Sequence, residues 1–434
     1  MSMLRRHWIW LLVLVVLLAF PFLFYDWSRG RHSGFVLILM SEIGVMAIFA
    51  LSYNMLMGQA GLLSFGHAVL LGLGAYCAAH AVNLVKAGTI WLPTELVPLA
   101  GGLGGLFFGY VLGWLVTKQR ATAFAMITMG LGELVSAAAL MFLAFFGGEG
   151  GISVDRVMHT SLFGASYSSS WQVYCLVLAW AFIAAILMKL QTQTPLGSMA
   201  NATRDNFERA QFVGYDPRMV RLLQFTLSGF FAGIAGGLYV LIYEIVTFDT
   251  VSAAKSANAL LAVYIGGAGG FFGPILGTIV VVLLQSGVSL LSNAWLLYVG
   301  VLFIVMVMYA PGGLIGLLYM HMPIWRAGRL RELTLPYARA FPAALLVMLG
   351  FVLLVELASF TTIGAAQGKK FSISGTVIDT TAPLPWVVAL GALVLGGVWL
   401  RYEARSFRLR WDELMEGAKR REVIEAAKPQ EVLA

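Results

Sequence analysis

Long runs of apolar residues alternate with short polar segments along most of the chain. A bilayer core about 30 Å thick takes roughly 20 helical residues to cross, and only helices and closed barrels satisfy their backbone there. Each run of this length with little or no charge therefore predicts a membrane-spanning helix. Before the first long polar loop, the runs are 8–25, 34–57, 58–85, 96–117, 121–146 and 171–190.

The second half of the chain continues this pattern. Further apolar runs cover 222–243, 341–357 and 382–400, and residues 256–325 contain no Asp, Glu, Lys or Arg. The uncharged stretch 256–325 is too long for one crossing and must fold back. We expect its helix breaks at Gly266, Gly267, Gly269, Gly270, Gly273 and Pro274, and again at Ser292 and Asn293. The pattern predicts an all-α polytopic membrane protein with about 10–12 transmembrane helices, some broken or re-entrant.

Composition and charge agree with this prediction. Hydrophobic residues make up 60% of the chain and charged residues only 11%, whereas about a quarter of a soluble protein is charged. The net charge of +7 comes from basic segments at the N-terminus, 118–120, 189–221, 326–339 and beyond 401. Basic loops stay cytoplasmic, so we expect both termini in the cytoplasm and no nucleic-acid binding. Cys77 and Cys175 have no zinc-site spacing, and we expect neither metal nor disulfide.

The predicted elements divide the chain into four parts. These are an N-terminal span with its outer loop (1–33), a membrane core (34–320), an extra transmembrane hairpin (321–400) and a cytoplasmic tail (401–434). A polar loop, 191–220, interrupts the core. We expect a short helix there, because Thr194 followed by Pro195 is typical of a helix start, and Gly214 with Pro217 of a helix end.

The segment 54–67 is the first candidate for function. Its polar and small residues interrupt two predicted spans, and we assign a translocation path or gate to Asn54, Gly58, Gln59, Gly61, Ser64 and His67. Transporters use such broken helices to direct helix ends and free carbonyls at a solute. Close glycine packing between helices explains the same residues equally well, so both interpretations stay open.

Glu133 is the second candidate. It lies near the middle of the predicted span 121–146, with Thr128 just over one turn before it. An acidic residue at a helix centre costs about 3 kcal/mol, so we expect Glu133 to face a cavity or a partner, and we place Thr128 on the same path. The alternative for Glu133 is a hydrogen-bonded carboxyl within the bundle. His67 is able to act with an acid as a relay or simply to pack.

The third candidate is the polar segment 204–217. We assign contact with a soluble partner to Arg204, Asp205, Glu208, Arg209 and Gly214. A short amphipathic helix of this kind fits into a groove of a partner protein. The alternative is an ordinary solvated loop.

Several segments, in the family's order along the chain, resemble the membrane subunits of the branched-chain amino acid type of ABC importer. The matching segments are 50–54, 61–67, 72–76, 127–133, 225–238 and 266–277. Residues 208–214 are also similar to the ABC importer coupling motif Glu-Ala-Ala-x-x-x-Gly, with Arg209 at the first alanine. The resemblance covers roughly 38–316 and implies the permease fold. The hairpin 341–400 is an addition to the usual pattern.

The resemblance implies a transporter subunit rather than an enzyme. It implies that this subunit pairs with a second, usually different, permease in a bacterial inner membrane. Two cytoplasmic ATPase subunits would bind the coupling helices, and a periplasmic binding protein would deliver the solute. The chain has no GxxxxGK[ST] phosphate loop, so we expect no cofactor on it and assign ATP and Mg to the partner subunits.

The resemblance also implies a class of solute: branched-chain amino acids, or a related small solute such as urea, an amide, or an aromatic or other carboxylate. The core offers no intramembrane Lys or Arg, so helix N-termini would have to bind a carboxylate. The alternative function is a self-sufficient, ion-coupled secondary transporter or channel that uses Glu133 and His67.

Overall fold

The computed structural model describes residues 14–26, 31–119, 121–157, 161–290, 292–362, 370–373, 376–380 and 382–431. Within these ranges, eight helices are long and apolar enough to cross a membrane, or up to nine when a bent pair is counted as one span. This confirms the predicted all-α polytopic fold. The start of the predicted span 8–25 and both chain ends lie outside the described residues.

The first group of helices precedes the polar loop. It comprises α1 (Leu14–Phe24), α2 (Gly34–Asn54), α3 (Ala68–Lys86), α4 (Val97–Val116), α5 (Ala121–Met141), α6 (Leu143–Phe146) and α7 (Ser170–Gln191). A π-helical turn, Met55–Gln59, extends α2, and a 3-10 turn, Thr94–Leu96, precedes α4.

The polar loop and the second half contain the remaining helices. They are α8 (Pro195–Asp205), α9 (Phe207–Phe212), α10 (Pro217–Tyr243), α11 (Ala253–Gly266), α12 (Gly273–Leu283), α13 (Trp295–Tyr309), α14 (Gly313–Arg326), α15 (Thr334–Thr362) and α16 (Pro383–Glu431). The break between α11 and α12 lies within the predicted glycine cluster. The gap before α13 contains Ser292 and Asn293.

Short antiparallel hairpins lie between helices. They pair β1 (Tyr25–Asp26) with β2 (Arg31–His32), β3 (Ile152–Ser153) with β4 (Ile245–Val246), and β5 (Lys370–Ile373) with β6 (Thr376–Asp379). In the second hairpin, Ile152 is opposite Val246. This pairing ties the loop before α7 to the segment that follows α10.

The chain forms two compact units. The first contains Met1–Leu283 and Phe303–Ile315, and the second contains Leu284–Leu302 and Gly316–Ala434. Every candidate residue of the sequence analysis from Asn54 to Pro274 belongs to the first unit.

Glycine rows join α4 to α10 in the first unit. Gly101, Gly105 and Gly109 of α4 face Gly229, Gly233 and Gly237 of α10. A side chain added at Gly233 would collide with the backbone of Gly101. Four-residue glycine spacing of this kind lets two transmembrane helices approach closely, so van der Waals contact and not hydrophobic burial holds them together.

The second unit is held together by the packing of α15 against α16 and by a small cluster of apolar side chains with ion pairs beside it. Gly350 of α15 and Gly396 of α16 let these two helices approach at backbone distance. A buried cluster further along the chain joins Leu414 of α16 to Ile324 of α14 and Leu333 of the turn before α15. Beside it, Glu332 pairs with Arg329 at 2.6 Å and with Arg410 at 2.7 Å.

Candidate functional site

The segment 54–67 is a broken helix. The π-helical turn follows Asn54, the chain then turns at Gly61, and α3 begins at Ala68. Gly61 has φ +67°, a left-handed conformation that glycine adopts without the penalty of a Cβ. π-helical turns shift the backbone hydrogen bonds by one residue and often occur at functional sites.

Three buried glutamines hold the π-helical turn. The side-chain amide of Gln224 in α10 donates to the carbonyl oxygen of Met55 at 3.0 Å and to Oε1 of Gln59 at 3.0 Å. Its own Oε1 accepts from Gln191 in α7 at 2.9 Å. Buried amides are costly unless they are paired, so this network fixes the turn against two other helices. Gln224 is not among the residues predicted from the sequence, although an amide inside the apolar run 222–243 is a detectable signal.

His67 is packed and hydrogen-bonded at the end of the broken segment. Its ring is fully buried, stacks on Phe49 at 5.3 Å and meets the edge of Tyr53 at 5.3 Å. Nε2 lies 3.0 Å from Oγ of Ser52, whose hydroxyl already donates to the carbonyl of Phe49. Ser52 therefore accepts from Nε2–H, and Nδ1 is left as a buried acceptor without a partner.

Thr128 is hydrogen-bonded to the broken segment, whereas Glu133 lies on an exposed surface. The hydroxyl of Thr128 accepts from the backbone N–H of Phe65 at 3.2 Å and donates to the carbonyl of Ala125 at 2.9 Å. Gly66 lies directly against the carbonyl of Thr128. Glu133 is exposed on the free face of α5, so the structure does not bring it to the ring of His67.

The two glycine-rich breaks meet near Gly58. A side chain at Gly58 would collide with Oδ1 of Asn54 and would lie 2.7 Å from the carbonyl oxygen of Ala268, between α11 and α12. Gly267 has φ +104° and allows the second break. The other glycines predicted at this break differ in how closely they pack. Gly266 packs closely against Gly273, whereas Gly269 faces open space.

An open apolar groove borders the broken segment. It encloses about 420 Å³ and is lined by Gly61, Leu63, Phe65, Thr122, Ala125 and Met126. The neighbouring Ser64 is fully buried, and its hydroxyl has no hydrogen-bond partner. Of the residues assigned to a path, Gly61 therefore lies on a groove, while Ser64 and His67 lie inside the packed core.

The polar loop folds as two helices, where the sequence predicts one. Thr194 caps α8 as expected, with its hydroxyl accepting from the N–H of Gly197 at 3.3 Å. Asn206 adopts extended φ −155°, which ends α8, and its side chain accepts from the N–H of Arg209 at 2.9 Å to begin α9. Gly214, with φ +91°, follows α9. The break arises because Asn206 makes a better N-cap than a helix-interior residue.

The outer surface of α9 is exposed and partly apolar. Ala210 is buried, whereas Glu208 and Arg209 are exposed and Phe212 is 88% exposed. The guanidinium of Arg221 lies 5.1 Å from the ring centre of Phe207, which attaches α9 to the start of α10. The outer surface of α9 is therefore accessible, while Phe207 at its start is attached to α10.

Arg204 connects the polar loop to the broken segment. Its guanidinium donates to the carbonyl of Gly58 and pairs with Asp205 at 3.0 Å. Its aliphatic stem lies against Gly61. A cavity of about 110 Å³, lined by Ala60, Thr203 and Phe207 among others, separates the two segments beside this contact. The polar loop, which the sequence assigns to partner contact, and the broken segment, which it assigns to the path, are thus in direct contact.

The comparisons with known proteins identify the family. The family model described as branched-chain amino acid transport system, permease component, matches residues 35–310. The high-affinity branched-chain amino acid transport system permease protein LivM of Escherichia coli (strain K12) is 28% identical over 70% of this chain and 73% of its own length. No solved structure matches significantly.

Two other relatives show how wide this similarity is. A probable branched-chain amino acid transport permease protein LivM of Methanocaldococcus jannaschii is 23% identical over 64% of this chain and 92% of its own length. The fructose import permease protein FruF of Bifidobacterium longum is 25% identical over 65% of this chain and 78% of its own length. With the family model matching more than half of its residues, this chain belongs to the family of permease components of branched-chain amino acid transport systems.

Proposed function

We propose that this chain is one half of the translocation path of an ATP-driven importer in a bacterial inner membrane. Its solute is a branched-chain amino acid or a related small molecule. Both termini and α8–α9 face the cytoplasm, in keeping with the basic segments at 189–221 and 401–434.

The contact of Arg204 with Gly58 is the observation that supports this proposal most strongly. It joins an exposed helix pair to a π-helical turn and the left-handed Gly61 in one direct step. Partner ATPases that bind ATP and Mg would push α9, and Arg204 would transmit the displacement to the turn.

The names of two relatives support a pair of different permeases. LivM and LivH of Escherichia coli are both named as permease proteins of the same high-affinity transport system. We therefore propose a heterodimer of two related permeases. From the resemblance to ABC importers we also propose two cytoplasmic ATPase subunits bound to α9, and a periplasmic binding protein. In such a dimer, the exposed face of α5 that carries Glu133 would meet the partner permease or the path.

A self-sufficient secondary transporter is the alternative, and one observation disfavours it. A proton relay between His67 and Glu133 requires the two groups to be near each other. His67 is instead buried beside Ser52 and Phe49, and Glu133 is exposed on α5. The ABC importer function needs no such relay.

A double substitution tests the coupling function. Arg204→Ala combined with Glu208→Ala removes the bridge and a charge on α9, so we expect solute uptake by the reconstituted importer to fall by about tenfold, the equivalent of one lost charge-assisted hydrogen bond. ATP hydrolysis should no longer respond to the loaded binding protein. The matched control is Lys86→Ala with Asp155→Ala, an exposed ion pair of 3.6 Å at the other end of α3. Uptake at the wild-type rate by the Arg204/Glu208 variant would refute the coupling role.

A further inference from the structure

A row of arginines lies on α16 directly beyond its apolar part. Residues 383–400 of this helix carry no charge and are about 27 Å long, close to the roughly 30 Å of a bilayer core. Trp399 and Tyr402 are both exposed where the apolar part ends, and exposed aromatic side chains of this kind lie at the membrane–water interface. The first arginine, Arg401, is therefore at the level of the lipid headgroups.

The two sides of α16 differ in this region. At about 100° per residue, Arg401, Arg405 and Arg408 lie within about 60° of one another around the helix axis, whereas Arg410 lies on the opposite side. Arg410 is paired with Glu332 at 2.7 Å. The side that carries Arg410 is thus packed against the second unit, and the side that carries the other three arginines is free.

The three arginines on the free side have no ion pair within the part of the chain that the structure describes. Like charges three and four residues apart on a helix repel one another, so an anion between them would relieve this repulsion. The row extends over about 10 Å of the helix, which covers a headgroup layer of about 5–8 Å. All three side chains are exposed.

These arginines border a groove of about 630 Å³ on the surface of α16. Three of its six lining residues are arginines and one is a carboxylate, so positive charge predominates. The guanidinium group binds phosphate oxygens through two parallel hydrogen bonds, which suits a row of this spacing to a phosphate group. The groove is lined by Arg401, Ala404, Arg405, Arg408, Leu409 and Asp412.

An apolar strip continues from the groove along the same side of α16. Val387, Val394 and Val398 lie within about 60° of Arg401 around the helix axis, and all three are exposed. No atom of another residue lies within 4 Å of a side chain added at Gly391, in the same strip. The free side of α16 thus offers apolar surface at bilayer depth and positive charge at headgroup depth.

We propose that this side of α16 binds an anionic phospholipid, with the headgroup phosphate in the arginine groove and the acyl chains along the valine strip. Clusters of basic residues immediately beyond a transmembrane helix attract anionic lipids. A zwitterionic lipid brings its own cation to the arginines, so the groove selects against it. The proposal goes beyond the importer function, because α16 lies outside the residues that the family model matches, 35–310.

The first test measures lipid binding to the wild-type protein. The full-length chain, with the subunits that co-purify with it, is delipidated in detergent and mixed with equal amounts of phosphatidylglycerol and phosphatidylcholine. Native mass spectrometry then counts the bound lipids. We expect phosphatidylglycerol to be bound about tenfold more than phosphatidylcholine. Equal binding of the two lipids would overturn the proposal.

Substitutions of the arginines locate the site. Arg405→Gln should lower the preference for phosphatidylglycerol by about fivefold, and Arg401→Gln, Arg405→Gln and Arg408→Gln combined should abolish it. Because the three side chains are exposed, we expect both variants to elute as the wild type does. If the triple variant does not fold, Arg405→Gln still decides. An unchanged preference in a folded variant would overturn the assignment.

A matched control separates the groove from positive charge in general. Arg326→Gln, Arg331→Gln and Arg339→Gln combined remove three exposed arginines of the same unit that do not line the groove. This variant should keep the wild-type lipid preference. A loss equal to that of the groove variant would show that net charge, and not the groove, attracts the lipid.

Two further measurements identify the occupant. Excess sodium phosphate carries charge like that of the headgroup but has no acyl chains, so it should displace little phosphatidylglycerol. Full displacement would assign the groove to free phosphate. If the groove variant keeps its lipid preference but loses a co-purifying ATPase subunit, the arginines bind protein. Either result would overturn the lipid proposal. Since lipid binding is measured without transport, the importer function stands or fails separately.

Discussion

Gln224 is the residue that most directly determines the shape of the broken segment. Its amide satisfies the carbonyl of Met55, which lies in the π-helical turn, and its Oε1 accepts from Gln191. The sequence indicates which residues are polar inside apolar runs, but it does not indicate that residues 169 positions apart meet. The broken segment was therefore predictable from its glycines, whereas the amide network that holds it was not.

Replacing Gln224 should loosen this network. Gln224→Leu leaves the carbonyl of Met55 and the amide of Gln59 without their buried partner, a loss of about 1–3 kcal/mol. We expect the midpoint of thermal unfolding in detergent to fall by several degrees. Gln211→Leu, at an exposed position of α9, should leave the midpoint unchanged. An unchanged midpoint for Gln224→Leu would show that the turn does not depend on this amide.

Arg204 and Gly58 illustrate the same limit from the functional side. The sequence assigns each residue to a task, one to partner contact and the other to the path. Their contact joins positions 146 residues apart and is visible only in the fold. Glu133 is the converse case: the sequence indicates a costly charge, and the structure places it on an exposed face of α5.

At the scale of elements, apolar runs predicted the helices well because membrane thickness fixes their length. The ends of helices depended on local chemistry, and Thr194 with Pro195 begins α8 as expected. The division of the polar loop into α8 and α9 escaped the prediction. Asn206 ends α8 and caps the start of α9, and the sequence pattern alone does not show that an asparagine there divides the loop.

The glycine rows between α4 and α10 give a prediction about packing. Gly233→Leu would force these helices apart, because a side chain there meets the backbone of Gly101. We expect the folded, monodisperse fraction in detergent to fall sharply. Gly391→Leu, on α16 with open space around it, should elute as the wild type does. Equal folded yields would show that close packing of α4 on α10 is dispensable.

The exposed surface of α9 gives a prediction about assembly. Phe212 is 88% exposed and would be covered by an ATPase subunit, so Phe212→Glu should reduce co-purification of that subunit by about tenfold through buried charge and lost apolar contact. Phe163→Glu is a matched control at an 83% exposed phenylalanine outside the polar loop. Full ATPase recovery with Phe212→Glu would place the ATPase contact elsewhere.

At the scale of the whole molecule, the two compact units do not follow the end of the family match, because residues 284–302 of that match belong to the same unit as the additional hairpin. The family model ends at residue 310, and α15 and α16 beyond it form their own packed pair around Gly350 and Gly396. The extra hairpin was predictable from two late apolar runs. The pairing of Glu332 with Arg410 was not, because the two residues are 78 positions apart and such a pair leaves no periodic signal, unlike the pair of Arg329 and Glu332, three residues apart.

Reconstituted transport tests the central claim most directly. Liposomes that contain the chain with its co-purifying permease and ATPase subunits should concentrate solute when ATP and the loaded binding protein are supplied. The chain alone should not concentrate solute under a proton or sodium gradient. Concentrative uptake by the isolated chain would contradict the importer function and would make Glu133 the centre of a different mechanism.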